Sequence, residues 1–243
     1  MNPPLRVDRD GDVRTLTLDR ADKRNALSAD LVEHLLDAVH EAAADRVKLL
    51  VLRGEGRNFS AGFDFGDVAT HSEGDLLLRF VRIEQLLQAV ATSPCMTLGL
   101  AHGRNFGAGV DLLAACRHRI AAADGGFRMP GLKFGLVLGT RRLGDVIGPA
   151  RAAALLEDAA TFDAARALEL GFVQRLAEPS DWPAVVAALA DKARALDDGS
   201  RAALYAALST VQADTDLATL VRSAARPGLK ERIAAYLQAS RNG

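Results

Sequence analysis

The chain has very little cysteine. Cys95 and Cys116 are the only two in 243 residues, both in apolar surroundings and without the paired spacing of a metal site. That excludes a disulfide framework and points to a reducing compartment, with both thiols as packing residues. An excess of charge of either sign is missing too: 30 Lys and Arg stand against 31 Asp and Glu, so the whole-chain balance offers no attraction to nucleic acid or to an anionic membrane surface. No apolar run approaches the roughly twenty residues of a membrane span. The opening MNPPLRVDRDGDV carries charges where a signal peptide needs an apolar stretch, so a cytoplasmic protein without membrane attachment is expected. Repeats and low-complexity segments do not occur.

What is present suffices for a substantial core. Apolar residues make up 49% of the chain, and its length suits one large domain or a domain with a helical appendage. Strand and helix patterns alternate. Val13–Leu18 reads as a short β-prone run, the polar turn DRADKRN follows, and Ser28 can cap a helix with Leu31, Leu35, Val39 and Ala42 on one stripe. Residues 48–52 read as a buried strand, and 75–91 as a helix with Leu78, Val81, Leu86 and Val90 inward, ended by Pro94. Residues 95–100 form the next strand, 110–116 a helix and 118–122 a strand. Helical patterns recur at 149–157 and 163–170, the second closed by Gly171. From Pro183 onward, alanine-rich sequence broken at Gly199 and at Pro227-Gly228 reads as three terminal helices. Alternation of this kind implies an α/β fold with parallel pairing, in which turns after strands carry functional groups.

Two such turns stand out, RNFSAGFD at 57–64 and GRNFGAGVD at 103–111. Glycine lets each present a backbone N–H where a side chain would block the approach, and two such donors could grip one oxygen. The second turn is not a dinucleotide fingerprint, because Gly103, Gly107 and Gly109 lack the G-x-G-x-x-G spacing and no Gly-Lys-Ser/Thr follows. Either turn taken alone is equally well explained by glycines that serve a tight bend.

In combination they say more. With KRNALS at 23–28, FRMPGLKFGLVLGTRRLGDVIG at 127–148 and FDAARALELGFVQRL at 162–176, the chain resembles the crotonase superfamily, the enoyl-CoA hydratase/isomerase enzymes, over most of its length. The resemblance implies a crotonase-like β-β-α spiral core over residues 1–180 that binds an acyl-CoA thioester. It also implies a C-terminal helical oligomerisation region over 181–243, with assembly into a homotrimer or dimer of trimers whose terminal helices reach onto neighbours. Carried over by position, the oxyanion hole is formed by the amides of Phe63 and Ala108, with alanine in place of the usual glycine at 108. Such preorganised donors stabilise an enolate without reorganisation. The same resemblance places Ala61, Gly62, Asp64, Gly107, Gly109 and Gly131 on the substrate-binding surface, and Arg24 where CoA phosphates are contacted, a solvated loop charge being the alternative for Arg24. No metal and no separate cofactor is implied, since CoA is part of the substrate.

The acid–base groups are incomplete. Hydratases of this family use two glutamates; the first lies three residues after the second oxyanion donor, where this chain has Asp111. Asp111 can act as a general base or acid, with a reach about 1 Å shorter than glutamate, or it can accept N–H bonds near a helix start. The second glutamate should follow Pro130, where this chain has Gly131, and no Asp or Glu occurs from Gly125 through Leu143. Glu84, on the helix expected to border the acyl pocket, either supplies a second carboxylate or belongs to a solvated face. His71 and His102 can titrate near neutrality, His102 being placed for a structural hydrogen bond. The expected activity is hydration or double-bond isomerisation of an enoyl-CoA. The alternatives are hydrolysis or decarboxylation of an acyl-CoA, and an acyl-CoA-binding protein without catalysis.

Overall fold

In the computed structural model, which describes residues 3–242, the chain opens with an antiparallel hairpin of β1 (Leu5–Asp10) and β2 (Val13–Leu18), turned at Gly11 with φ +58°. β1 buries only Leu5, Val7 being 48% exposed, and pairing with β2 holds it. That is why its sequence, LRVDRD, does not read as a strand. Ser28 caps α1 (Ala29–Ala44), its hydroxyl accepting the Leu31 N–H at 3.2 Å. β3 (Leu49–Gly54) follows, then α2 (Glu73–Thr92), which starts in a reciprocal Ser72–Asp75 capping box.

From there the chain winds between two sheets. β4 (Met96–Ala101) joins the first sheet and β5 (Arg104–Phe106) the second; α3 (Ala108–Ala115) leads to β6 (His118–Ala121) in the first and β7 (Gly126–Arg128) in the second. A 3-10 turn at Gly131–Phe134, α4 (Thr140–Ile147) and α5 (Pro149–Asp158) precede β8 (Thr161–Asp163) in the second sheet. α6 (Ala164–Glu169) and β9 (Arg175–Leu176) complete the first. Among the described residues the first sheet has the order β1-β2-β3-β4-β6-β9, parallel from β2 onward, and the second β5-β7-β8. This repeated passage between sheets is the spiral expected of the core.

The large sheet is apolar on both faces, as a covered parallel sheet must be. In β3, Leu50 and Leu52 enter the main core with α1 and α2, while Leu49 and Val51 join Leu98, Leu100 and Trp182 beneath α7 (Trp182–Arg194).

Two expectations need correction. Leu78 is 58% exposed and Val81 half-buried, while Leu86 and Val90 are buried as expected; Leu76, Phe80, Ile83 and Leu87 complete the buried stripe of α2. The tail forms four helices among the described residues, not three: α7, α8 (Asp198–Ala207), α9 (Ala213–Ala224) and α10 (Leu229–Asn242). Gly199 lies in the first turn of α8, whose start is fixed by the Asp197 cap, so it breaks nothing. α9 packs on α2, and α10 packs on the 3-10 turn and α2 of its own chain.

Candidate active site

The two glycine turns fit into each other, and their glycines are required by that contact. A Cβ on Gly62, where φ is +79°, would lie 2.2 Å from the Phe106 carbonyl oxygen; on Gly103 it would lie 2.0 Å from that of Arg57, and on Gly109 2.6 Å from that of Ser60. Buried side chains lock the contact. Asn105 accepts the Ser60 N–H at 3.1 Å and donates to the Gly103 carbonyl at 3.0 Å. The Ser60 hydroxyl donates to the Asn25 carbonyl at 2.8 Å and accepts the Gly62 N–H at 3.1 Å. Asn25 in turn donates to the Asn58 carbonyl at 2.9 Å, tying the KRNALS turn to the first glycine turn. Asn and Ser are short enough to mimic backbone partners inside such turns.

This packing leaves two amides without protein acceptors. Leu27 and Phe63 form a parallel bridge in which the Leu27 N–H donates to Gly62 and the Asp64 N–H to Leu27, so the amide of Phe63 itself faces the other way. Ala108 is the first residue of α3. Its predecessor Gly107, with φ +45°, donates to the Arg128 carbonyl at 2.8 Å and accepts from Val110 and Asp111 at 2.8 and 3.0 Å. Among the described residues neither the Phe63 nor the Ala108 amide donates a hydrogen bond. The Ala108 amide also sits at the positive end of α3.

Both residues line a cavity of about 410 Å³, within the range of ligand pockets. Its far wall is apolar, formed by Phe65, Phe80, Phe134, Leu136, Tyr236 and Leu237, the last two from α10. The Phe63 ring stacks on Phe80 at 4.3 Å and carries the Arg79 guanidinium at 4.2 Å on its face. Of the residues singled out in the sequence, Arg24, Ala61, Phe63, Gly107, Ala108, Asp111 and Gly131 line this cavity. Gly62, Gly109 and Asp64 lie off its wall: the glycines serve the turn-to-turn contact, and Asp64 pairs with Arg20 at 2.8 Å and accepts the Gly66 N–H at 3.0 Å. Arg24 also borders an adjoining groove of about 670 Å³ with Arg57 and Arg104.

Asp111 is the one carboxylate on the cavity wall among the described residues. It is 2% exposed, and its Oδ1 has no hydrogen-bond partner. Burial pushes its pKa well above the usual carboxylate range, the charge of Arg142 opposes that, and Glu84 adds to it. Gly139 admits the carboxylate, since a Cβ there would fall 1.7 Å from Oδ1.

Glu84 is neither on the wall nor on a solvated face. It is 1% exposed, accepts from Arg142 Nη2 at 3.1 Å and from Gln88 at 3.0 Å, and lines a chamber of about 200 Å³ with Arg142 and Asp216. Burial raises its pKa, against the pull of Arg142 and Gln88. Arg142 escaped sequence reasoning, although one signal was available: Glu84 falls four residues after Phe80 on the apolar stripe, and a charge there calls for a buried partner.

Gly131 opens the 3-10 turn after Pro130. His102 hydrogen-bonds the Gly56 carbonyl at 2.8 Å with its ring against Trp182, and His71 bonds the Asp67 carbonyl at 2.7 Å; neither borders the cavity. Cys95 and Cys116 are buried free thiols, and burial pushes Cys116 up to about 12. Among the described residues no group of three or more His, Cys, Asp or Glu converges as a metal site, and no helix is long and apolar enough to cross a membrane.

The sequence profile of the enoyl-CoA hydratase/isomerase family matches residues 8–236. A crystal structure from Bordetella parapertussis, described as an enoyl-CoA hydratase/isomerase, is 57% identical with a TM-score of 0.96, covering 97% of this chain and 99% of that one. A probable enoyl-CoA hydratase of Mycobacterium tuberculosis is 36% identical over 185 residues, 73% of this chain and 74% of its own length. A Mycobacterium leprae protein of the same description is 37% identical over 205 residues, 77% and 81% of the two chains. The chain therefore belongs to the enoyl-CoA hydratase/isomerase family of the crotonase superfamily.

Proposed function

We propose that this protein is an acyl-CoA thioester-processing enzyme working through an enolate held by the Phe63 and Ala108 amides. Of the two expected reactions, double-bond isomerisation of an enoyl-CoA suits the cavity better than hydration. The observation that carries this reading is a single buried carboxyl, Asp111, on a wall that also holds two unpaired amides and no second acid. One carboxylate is enough to move one proton. Asp111 takes a proton from Cα of a 3-enoyl thioester, the electron pair spreads over the C3–C4 double bond and the thioester oxygen, and the same proton returns to C4, leaving the double bond between C2 and C3. Nothing is added and no water is consumed, whereas hydration by two glutamates needs the group that Gly131 lacks. Because Asp111 must be ionised to begin, and burial raises its pKa, turnover rises with pH through a midpoint above the ordinary carboxylate range. The apolar wall of Phe65, Phe80 and Tyr236 suits an acyl chain, and Arg24, Arg57 and Arg104 suit CoA phosphates at the mouth.

The test is conversion of 3-enoyl-CoA thioesters to 2-enoyl products, followed by chromatography, in the native protein and in Asp111→Asn. The variant should bind the thioester and lose about 10²–10⁴-fold in turnover. Binding of both 2- and 3-enoyl thioesters without turnover would replace this reading with that of an acyl-CoA-binding protein.

The same reading makes 181–243 an assembly region of a cytoplasmic homotrimer or dimer of trimers. Leu204 and Leu208, at 44% and 72% exposure on α8 and its C-terminal end, support a covered face there. Mass measurement in solution checks it, and a monomer at micromolar concentration overturns it.

A further inference from the structure

Behind Asp111 the interior holds more charge than packing requires. Arg142 on α4 is 7% exposed, yet only Nη2 is engaged, on Glu84 of α2. Its Nε and Nη1 have no partner, and neither has Asp111 Oδ1. A guanidinium carries five donors, and leaving buried charged donors unused is costly unless a partner arrives at some stage. Arg142 makes no ion pair with Asp111 in this structure, but it is the positive charge that acts on that carboxyl. The charged groups facing Asp111 are Arg142 from α4 and Glu84 from α2; α9 contributes Asp216, which reaches Glu84 and is itself paired with Arg141. On the cavity side the cations are Arg24 and Arg128. Thr140 lines both the cavity and the small chamber, so only the start of α4 separates the two spaces.

We propose that Arg142 is a positioning residue for Asp111: Glu84 anchors its guanidinium through Nη2, and the unpaired Nε and Nη1 supply the counter-charge that is needed when Asp111 gives up its proton. This rests on Asp111 being the proton-transfer group. With Asp111 neutral, Arg142 and Glu84 balance each other and the buried set carries no net charge. When Asp111 ionises, a second buried negative charge joins that of Glu84, and the spare donors of Arg142 compensate it. Glu84 then has a second effect. By cancelling part of the charge of Arg142 it keeps Asp111 from being permanently ionised, so that one carboxyl can both release and retake a proton.

The two partners therefore act on Asp111 in opposite directions, and the Asp111 midpoint reads both. The experiment is infrared titration of the protonated Asp111 carboxyl, identified by the band lost in Asp111→Asn, in native protein, Glu84→Gln and the double variant Glu84→Gln/Arg142→Gln. The double variant removes the pair without stranding either charge. Glu84→Gln should lower the Asp111 midpoint below native by removing a like charge, and the double variant should lie above Glu84→Gln because it also removes the opposite charge. The two variants should differ by about one pH unit or more. Coincident midpoints in the two variants overturn the proposal. Should Glu84→Gln fail to fold, Arg142→Lys against native decides: it keeps the charge but lacks the planar Nε and Nη1 donors, so the midpoint should rise, and an unchanged midpoint is the overturning result. The band is read without turnover, so a protein that binds acyl-CoA but does not isomerise it leaves this test intact.

Discussion

Two parts of the cavity wall are built differently: the backbone amides of Phe63 and Ala108, and the single carboxyl of Asp111. The amides of Phe63 and Ala108 are aimed by glycines that let two turns touch and by Asn25, Asn58, Ser60 and Asn105 bonded to carbonyls. Nothing in that arrangement depends on charge, and alanine at 108 is tolerated because the donor belongs to the main chain. The acid–base side is held by opposed charges, Arg142 against Glu84, around a carboxyl with an unpaired oxygen. A steric lock is rigid and specifies one geometry; a charge balance specifies a proton affinity and can be shifted by one neighbour. In the proposed reading the first suits binding an oxyanion, and the second suits moving a proton.

Breaking the steric lock should have the largest effect. Gly62→Ala would place a Cβ 2.2 Å from the Phe106 carbonyl at a φ of +79°. We expect a loss of about 3 kcal/mol, or roughly 6–12 °C in Tm for a domain of this size, together with loss of acyl-CoA binding. A thermal melt matching the native protein would show that the turns can part without cost and that the lock is not steric.

A smaller change tests the donor while leaving the lock in place. Ala108 is the first residue of α3, a position where proline fits helical geometry and removes only an N–H that the helix does not use. Ala108→Pro should fold with little change in Tm and lose about 10²–10³-fold in turnover, since the amide is gone and the ring takes the space before it. Retained turnover would remove Ala108 from the oxyanion hole.

How far each side could be read in the sequence follows from the same difference. Glycines at close contacts are visible in any sequence, and so were the Ser28 cap and the strands β2, β3, β4 and β6. What escaped was held together by tertiary partners. β5, β7 and β8 are three residues long and exist only through their pairing with one another. α4, with two arginines in its first turn, packs against α3 and α5 and bears no long apolar stripe. Arg142 drew no reading of its own, and Glu84 was left between a second carboxylate and a solvated face, because a buried ion pair joins residues 58 positions apart. Asp111 was legible as a candidate, but not its lack of a partner, which depends on Gly139 admitting the carboxyl and on Arg142 turning to Glu84.

The smallest expected change would add to the acid–base side instead of removing from it. Gly131 lies on the cavity wall without a positive φ, and a Cβ there meets only the Leu136 carbonyl at 3.1 Å, tight enough to require a slight shift. Gly131→Glu should therefore cost no more than about 1 kcal/mol in stability, while placing a second carboxylate where the family's hydratases have one. If the missing group is what restricts this protein to moving a proton, the variant should convert 2-enoyl thioesters to 3-hydroxyacyl products about tenfold faster than the native chain. That gain falls well short of the 10²–10⁴ that a matched acid or base provides, because Asp111 stays about 1 Å short of a glutamate's reach. Product formation is read by chromatography. A variant that binds the thioester and yields no hydroxyacyl product would place the restriction on Asp111 and its charge balance with Arg142 and Glu84, rather than on Gly131.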